Sequence, residues 1–189
     1  MPNELEFLID REKYWGDSVS KDDSNSPIGL MDSLFHYYKS KRILEIGPGK
    51  GRQYSLVKGI VENYHVADIS ENVLNLNIYK DIKKTKLNHY NHWLRKKFDV
   101  VHFWYVIHHV LPDELPYFFS FVKKHTKKNG YVLFNFPIIW DMPYDSLGWD
   151  GIKTSFTCPP IYNENIETNF KKVEHWYLVN QCIIVAQNI

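Results

Sequence analysis

The sequence predicts an α/β fold: a mostly parallel β-sheet, helices on both faces, and an antiparallel edge at the carboxyl end. Two patterns carry this reading. Between residues 42 and 136, short apolar runs of strand character alternate with amphipathic stretches, the mark of successive βα units. At the tail, VEHWYLV (173–179) and CIIVAQ (182–187) are separated only by Asn180-Gln181, a gap that demands an antiparallel hairpin.

The elements follow in order. Leu5, Leu8, Ile9 and Trp15 lie on one face of a predicted helix near residues 3–15. The polar run DSVSKDDSNSP (17–27) separates it from a second helix near 28–39, where Ile28, Met31, Phe35 and Tyr38 keep helical spacing. RILEI (42–46) reads as a buried strand, followed by a glycine turn and a helix around 52–62. YHVADI (64–69) is the second strand, and Ser70 with Glu71 caps the next helix. Lys86–Tyr90 is a weak third strand, and FDVVHFWYV (98–106) a strong fourth. Pro112 is expected to open a helix running to about Lys127, and GYVLFNF (130–136) is the fifth strand.

Composition bounds the function classes. The 189 residues are 44% hydrophobic and 24% charged, as in a soluble single domain with a proper core. No apolar run reaches the roughly 18 residues of a membrane span, and the acidic start at Met1–Glu4 does not resemble a signal peptide. Cys158 and Cys182 form no CxxC pair, which argues against a disulfide or structural-zinc scaffold and for a cytoplasmic setting. Aromatic residues make up 16%, but two alanines, and four arginines against nineteen lysines, point to biased codon usage rather than a stacking surface. Charge is uneven: residues 1–37 carry net −5, residues 38–130 net +9 and residues 131–189 net −3.

Ligands on open α/β sheets bind beyond the carboxyl ends of the strands, so the turns after strands one, two, four and five come first. After strand one stands Glu45-Ile46-Gly47-Pro48-Gly49-Lys50-Gly51. Glycines at alternate positions let the backbone turn sharply and approach a ligand where a Cβ would intrude, and the following helix is expected to aim N–H groups at the site. A dinucleotide loop spaces its glycines G-x-G-x-x-G, and the third position here is Arg52. Asp68 ends strand two, where a carboxylate can accept both hydroxyls of an adenosine ribose.

With these residues in view, the chain resembles the class I S-adenosylmethionine-dependent methyltransferases, most of all the small-molecule type 11/12 branch. ILEIGPGKGR (43–52), HVADIS (65–70), FDVVHFWYVIHHV (98–110) and KKNGYVLFNFP (127–137) match in order and spacing. The resemblance implies a Rossmann-like sheet of seven strands and S-adenosylmethionine as cofactor. It implies that Gly47, Gly49 and Gly51 flank the methionine part, that Glu45 organises its amino group, that Asp68 holds the ribose and that Ile69 packs on the adenine. The family often places an acid after strand three to meet the adenine amino group; this chain has Asn88-His89-Tyr90-Asn91-His92-Trp93, with Asn91 or His92 as substitutes. Asn129-Gly130 replaces the usual Gly-Gly before strand five.

The single domain then divides into an N-terminal helical cover (1–40), a cofactor-binding core (41–137), a substrate-side segment (138–170) and the C-terminal hairpin (171–189). His108 and His109, after strand four, are candidate general bases, set against packing and solvent exposure as the plainer roles. Trp104 is a further cofactor candidate, and Tyr14 and Trp15 are expected to fold over the sulfonium, which an aromatic face attracts. Trp140, Asp141, Tyr144 and Trp149 are expected to meet the substrate. His89 and His92 form H-x-x-H without a third ligand, so no metal is expected. Cys158-Pro159-Pro160 reads as a loop and helix start rather than the Pro-Pro turn of nucleic-acid amino-methylating enzymes, which would follow strand four. The acidic flanks, together with basic residues at helix ends such as Lys123, Lys124, Lys127 and Lys128, disfavour a polynucleotide. The expected acceptor is a neutral or cationic small molecule, and the sparse substrate cover leaves room for a homodimer. A non-catalytic partner subunit and an aminopropyl transferase remain as alternatives; a nicotinamide oxidoreductase is disfavoured by Arg52.

Overall fold

A computed structural model describes residues 37–38, 41–87, 94–111, 113–137, 145–147, 153–155, 159–178 and 181–189. The chain forms two compact units that divide between residues 92 and 93. The main sheet has seven strands in the order β3 (Lys83–Lys86), β2 (Asn63–Asp68), β1 (Arg42–Ile46), β4 (Phe98–Phe103), β5 (Thr126–Pro137), β9 (Gln181–Gln187) and β8 (Lys171–Leu178), and two short strands, β6 (Asp145–Leu147) and β7 (Lys153–Ser155), pair separately. This is the mostly parallel sheet with an antiparallel carboxyl-terminal edge that the sequence predicts.

In the first unit, β1 (Arg42–Ile46) pairs parallel with β2 (Asn63–Asp68), and β2 with β3 (Lys83–Lys86). Helix α1 (Arg52–Val57) is shorter than the expected 52–62. It ends because Gly59 turns left-handed at φ 92°, the usual glycine stop just beyond a helix. Helix α2 (Glu71–Leu74) starts as expected: the Ser70 hydroxyl accepts from the Val73 N–H at 3.4 Å, with Glu71 in the first turn. A 3-10 turn over Asn77–Tyr79 follows. The third strand corrects the expected 86–90: it lies upstream and meets that range only at Lys86. As an edge strand it is lysine-rich and half exposed, which defends the edge against pairing but erases the apolar signal.

In the second unit, β4 (Phe98–Phe103) pairs parallel with β5 (Thr126–Pro137). Strand β4 ends three residues earlier than expected, because Tyr105 turns to φ 54°. Helix α3 (Leu115–His125) opens at Leu115-Pro116, not at Pro112, so Pro116 fills the early-turn position where a missing N–H costs nothing. Its inner face packs Phe118 and Phe119 against Phe103 and Phe134, the last two stacked at 4.8 Å between ring centroids. Much of the aromatic excess is thus core. Lys123 and Lys124 do sit in the last turn of α3, whereas Lys127 and Lys128 fall within β5, where the Lys127 ammonium pairs with Asp99 at 2.7 Å.

Asn129 takes the left-handed conformation, which asparagine tolerates better than most, at φ 61°. Gly130 is required by space: an added Cβ would lie 2.8 Å from the Asp99 carbonyl oxygen. The chain closes with α4 (Pro159–Asn169), which starts at the expected Pro-Pro, and the antiparallel hairpin β8 (Lys171–Leu178) and β9 (Gln181–Gln187). Strands β6 (Asp145–Leu147) and β7 (Lys153–Ser155) form a ribbon that the sequence reading missed. No helix among the described residues is long and apolar enough to cross a membrane.

Candidate cofactor site at the ends of the first two strands

The loop after β1 is built on three alternating left-handed glycines: Gly47 at φ 66°, Gly49 at 51° and Gly51 at 82°. Other L-residues take that conformation at a cost of roughly 1–2 kcal/mol each, which explains the glycine spacing. The Gly47 N–H donates to the Ala67 carbonyl at 2.9 Å, carrying the β1–β2 ladder one step past the strand. An added Cβ at Gly49 would meet no described atom within 4 Å, so that side of the loop is open.

Two carboxylates lie beneath this loop. Strand register pairs Ile43 with Tyr64 and Glu45 with Val66, and alternation along β2 brings Tyr64 and Asp68 to the same face as Glu45. The Tyr64 hydroxyl donates to Glu45 Oε2 at 2.7 Å. Asp68 Oδ1 accepts from the Ser70 N–H at 2.7 Å, a tight turn that aims the carboxylate. Both acids are buried, and neither pairs with a lysine or arginine among the described residues.

Burial dominates their ionisation. It pushes Glu45 up to about 8, with Tyr64's hydrogen bond pulling the other way and the charge of Asp68 adding to the rise. It pushes Asp68 up to about 7, against the Ser70 and Ile69 N–H groups that favour the charged form. Buried acids that ionise near neutrality, with no cationic partner among the described residues, suit a ligand that brings positive charge and hydroxyl donors.

These values fix a pH dependence. Both folded values lie above the ordinary carboxylate values of 4.5 and 3.8, so the folded protein holds extra protons and loses stability as pH rises through 7 and 8. Below about 6.5 the trend is opposed by His102, which burial pushes down to about 3 and keeps neutral. Ligand-free protein should therefore lose roughly 2–3 kcal/mol between about pH 6.5 and 9. Urea melts across that range test this, and stability that is flat or rises there contradicts it.

In the second unit, the buried Trp104 follows β4, and its indole N–H donates to His102 Nδ1 at 2.8 Å, which places the His102 proton on Nε2. The Asn135 side-chain oxygen accepts from the Tyr105 N–H at 2.7 Å, holding the left-handed turn after Trp104. His109 is half-buried in a 3-10 turn over Ile107–His109; the backbone of His108 shares that turn, and its side chain is outside the described residues. Strand β7 packs beside this turn. Ile69 is half-buried directly after Asp68. Tyr14, Trp15, His89, Asn91, His92, Trp140, Asp141, Tyr144 and Trp149 lie outside the described residues.

Sequence reasoning missed Tyr64 and Tyr79. Tyr64 was recoverable, since strand alternation from Asp68 leads back to it. Tyr79 carries no local signal; only the fold brings its hydroxyl to the glycine loop, 2.9 Å from the carbonyl oxygens of both Pro48 and Gly49.

Residues 27–173 match the family model described as a methyltransferase domain. The chain belongs to that family. The resemblance to class I methyltransferases read from the motifs is borne out. No curated protein matches the chain.

Solved structures with the same fold include 1,6-didemethyltoxoflavin-N1-methyltransferase of Burkholderia thailandensis, with bound 1,6-didemethyltoxoflavin and S-adenosylhomocysteine. It is 13% identical, with a TM-score of 0.79 over 100% of this chain and 90% of that one. A DhpI–SAH complex is 14% identical, with a TM-score of 0.73 over 96% and 97% of the two chains. The N-methyltransferase NodS of Bradyrhizobium japonicum WM9, in complex with S-adenosylhomocysteine, is 11% identical, with a TM-score of 0.70 over 94% and 97%. At such identities these matches speak for the fold.

Proposed function

We propose that this methyltransferase-family protein uses S-adenosylmethionine to methylate an oxygen or nitrogen of a small metabolite or of a sugar- or lipid-linked precursor. One observation carries the cofactor reading: a glycine loop open at Gly49, joined to two buried carboxylates, Glu45 and Asp68, that have no cationic partner among the described residues. The residues present fit the group. Asp68 would accept the ribose hydroxyls, Glu45 would face the amino group, the glycine loop would admit the methionine chain, and Ile69 would pack on the adenine.

S-adenosylmethionine supplies a methyl group already activated on a sulfonium. The chain's remaining task is alignment, and holding two reactants in near-attack geometry supplies roughly 7–11 kcal/mol. His109 or His108 would take the acceptor's proton. The β6–β7 ribbon, which packs beside the His109 turn, supports residues 138–170 as the substrate side, with Trp140, Asp141, Tyr144 and Trp149 as contacts. A small acceptor agrees with the acidic flanks of the chain and with the 1,6-didemethyltoxoflavin bound by the Burkholderia enzyme.

Calorimetric titration with S-adenosylmethionine, S-adenosylhomocysteine, decarboxylated S-adenosylmethionine and NAD tests this reading. Micromolar binding of the first two with NAD silent is expected. Preference for the decarboxylated form would move the reading to aminopropyl transfer. Silence from all four on folded protein would overturn it.

A further inference from the structure

The glycine loop closes on itself where the Gly51 N–H donates to the Pro48 carbonyl at 3.0 Å, and one phenol braces it from below. Tyr79 is fully buried, and its hydroxyl lies 2.9 Å from the carbonyl oxygens of both Pro48 and Gly49. A phenol has one proton, so it donates to one carbonyl at a time or shares its hydrogen between them. Either way, both peptide oxygens are drawn into the interior.

A trans peptide points its N–H opposite to its C=O. With the Pro48 oxygen turned inward, the Gly49 N–H of the same peptide points away from Tyr79. That N–H has no hydrogen-bond partner among the described residues, and the space beside the Gly49 Cα is open. Without the phenol, the Pro48 carbonyl would keep only the Gly51 N–H and the Gly49 carbonyl would lose its hydroxyl partner, so the glycines on either side would let the loop's peptides turn more freely.

We propose that Tyr79 is a positioning residue: its hydroxyl fastens the Gly49 carbonyl and, together with the Gly51 N–H, the Pro48 carbonyl on the inner side, so that the loop presents the Gly49 N–H to the carboxylate of the cofactor's amino-acid end. This rests on the S-adenosylmethionine reading of the same loop. It predicts selectivity for the carboxylate, beyond general support of the fold. Neighbouring Tyr54, 6.4 Å from Tyr79 between ring centroids, supplies the control, since its hydroxyl bonds to no described residue.

The test compares S-adenosylmethionine with decarboxylated S-adenosylmethionine, which lacks only the carboxylate, by calorimetry on wild type, Tyr79→Phe and Tyr54→Phe. Tyr79→Phe should weaken S-adenosylmethionine about tenfold, as expected for a lost buried hydrogen bond, and leave the decarboxylated form within about twofold. Tyr54→Phe should change neither. Equal losses for both ligands, or no loss for either, would overturn the role of Tyr79. If Tyr79→Phe does not fold, the Gly49 amide resonance of labelled wild-type protein decides: it should move on adding S-adenosylmethionine and much less on adding the decarboxylated form, and equal movement overturns the proposal. Wild-type protein that binds neither ligand removes the cofactor reading and this role together, a result distinct from intact binding that ignores Tyr79.

Discussion

Asp68→Asn should raise the stability of the ligand-free protein at pH 8 while weakening S-adenosylmethionine binding about 10²- to 10³-fold. The two effects have one origin. Burial lifts the Asp68 value from 3.8 to about 7, so at pH 8 the folded protein carries a charge that its surroundings disfavour. An asparagine oxygen can still accept from the Ser70 N–H, which bonds Oδ1 at 2.7 Å, and it removes that charge at a gain on the order of 1–3 kcal/mol.

Binding moves the other way. A carboxylate can accept two ribose hydroxyls in charge-assisted bonds worth about 1.5–3 kcal/mol each, whereas the amide offers one acceptor and turns a donor against the second hydroxyl. Thermal melts with and without ligand at pH 6 and pH 8 read both effects. The gain in stability should shrink at pH 6, where wild-type Asp68 is largely protonated. A variant that loses stability and affinity in parallel would make Asp68 a structural residue and sink the ribose assignment.

Much of this site is legible in the sequence because it is local. The three glycines at alternate positions each take positive φ, and Asp68 ends its strand just before the Ser70 cap. The closing hairpin follows from a gap too short for a crossover. What was not legible depends on partners far along the chain. Lys83–Lys86 reads as solvent-loving because it is an edge, and the fold defines edges. The start of α3 at Leu115, with Pro116 in its first turn, rather than at Pro112 depends on the turn that brings the Leu111 N–H to the Glu114 carboxylate at 3.0 Å. Tyr64 and Tyr79 matter through hydrogen bonds across 19 and 31 positions. The pattern shows which positions need glycine, and the fold shows what holds those glycines in place.

The second large effect belongs to Gly51, which is constrained twice. At φ 82° it occupies backbone space that costs an alanine roughly 1–2 kcal/mol, and an added Cβ would lie 2.7 Å from Ile78 Cδ1 and 2.9 Å from Ile78 Cγ2. The Cδ1 contact can swing aside. The Cγ2 contact sits on the branch point of a stiff side chain and must push the 3-10 turn that carries Tyr79. Overpacking of this kind costs about 1–3 kcal/mol, so Gly51→Ala should lower stability by roughly 2–5 kcal/mol and the melting temperature by about 5–15 °C. Gly49→Ala carries only the backbone penalty, because its Cβ meets no described atom within 4 Å, and its main loss should be in ligand binding. Ile78→Ala separates the two constraints on Gly51. In the Gly51→Ala background it should return the steric part and leave the backbone part, a positive coupling of about 1 kcal/mol or more in a double-mutant cycle. Strict additivity would mean that the conformation of Gly51 alone, and not its packing on Ile78, sets the shape of the loop.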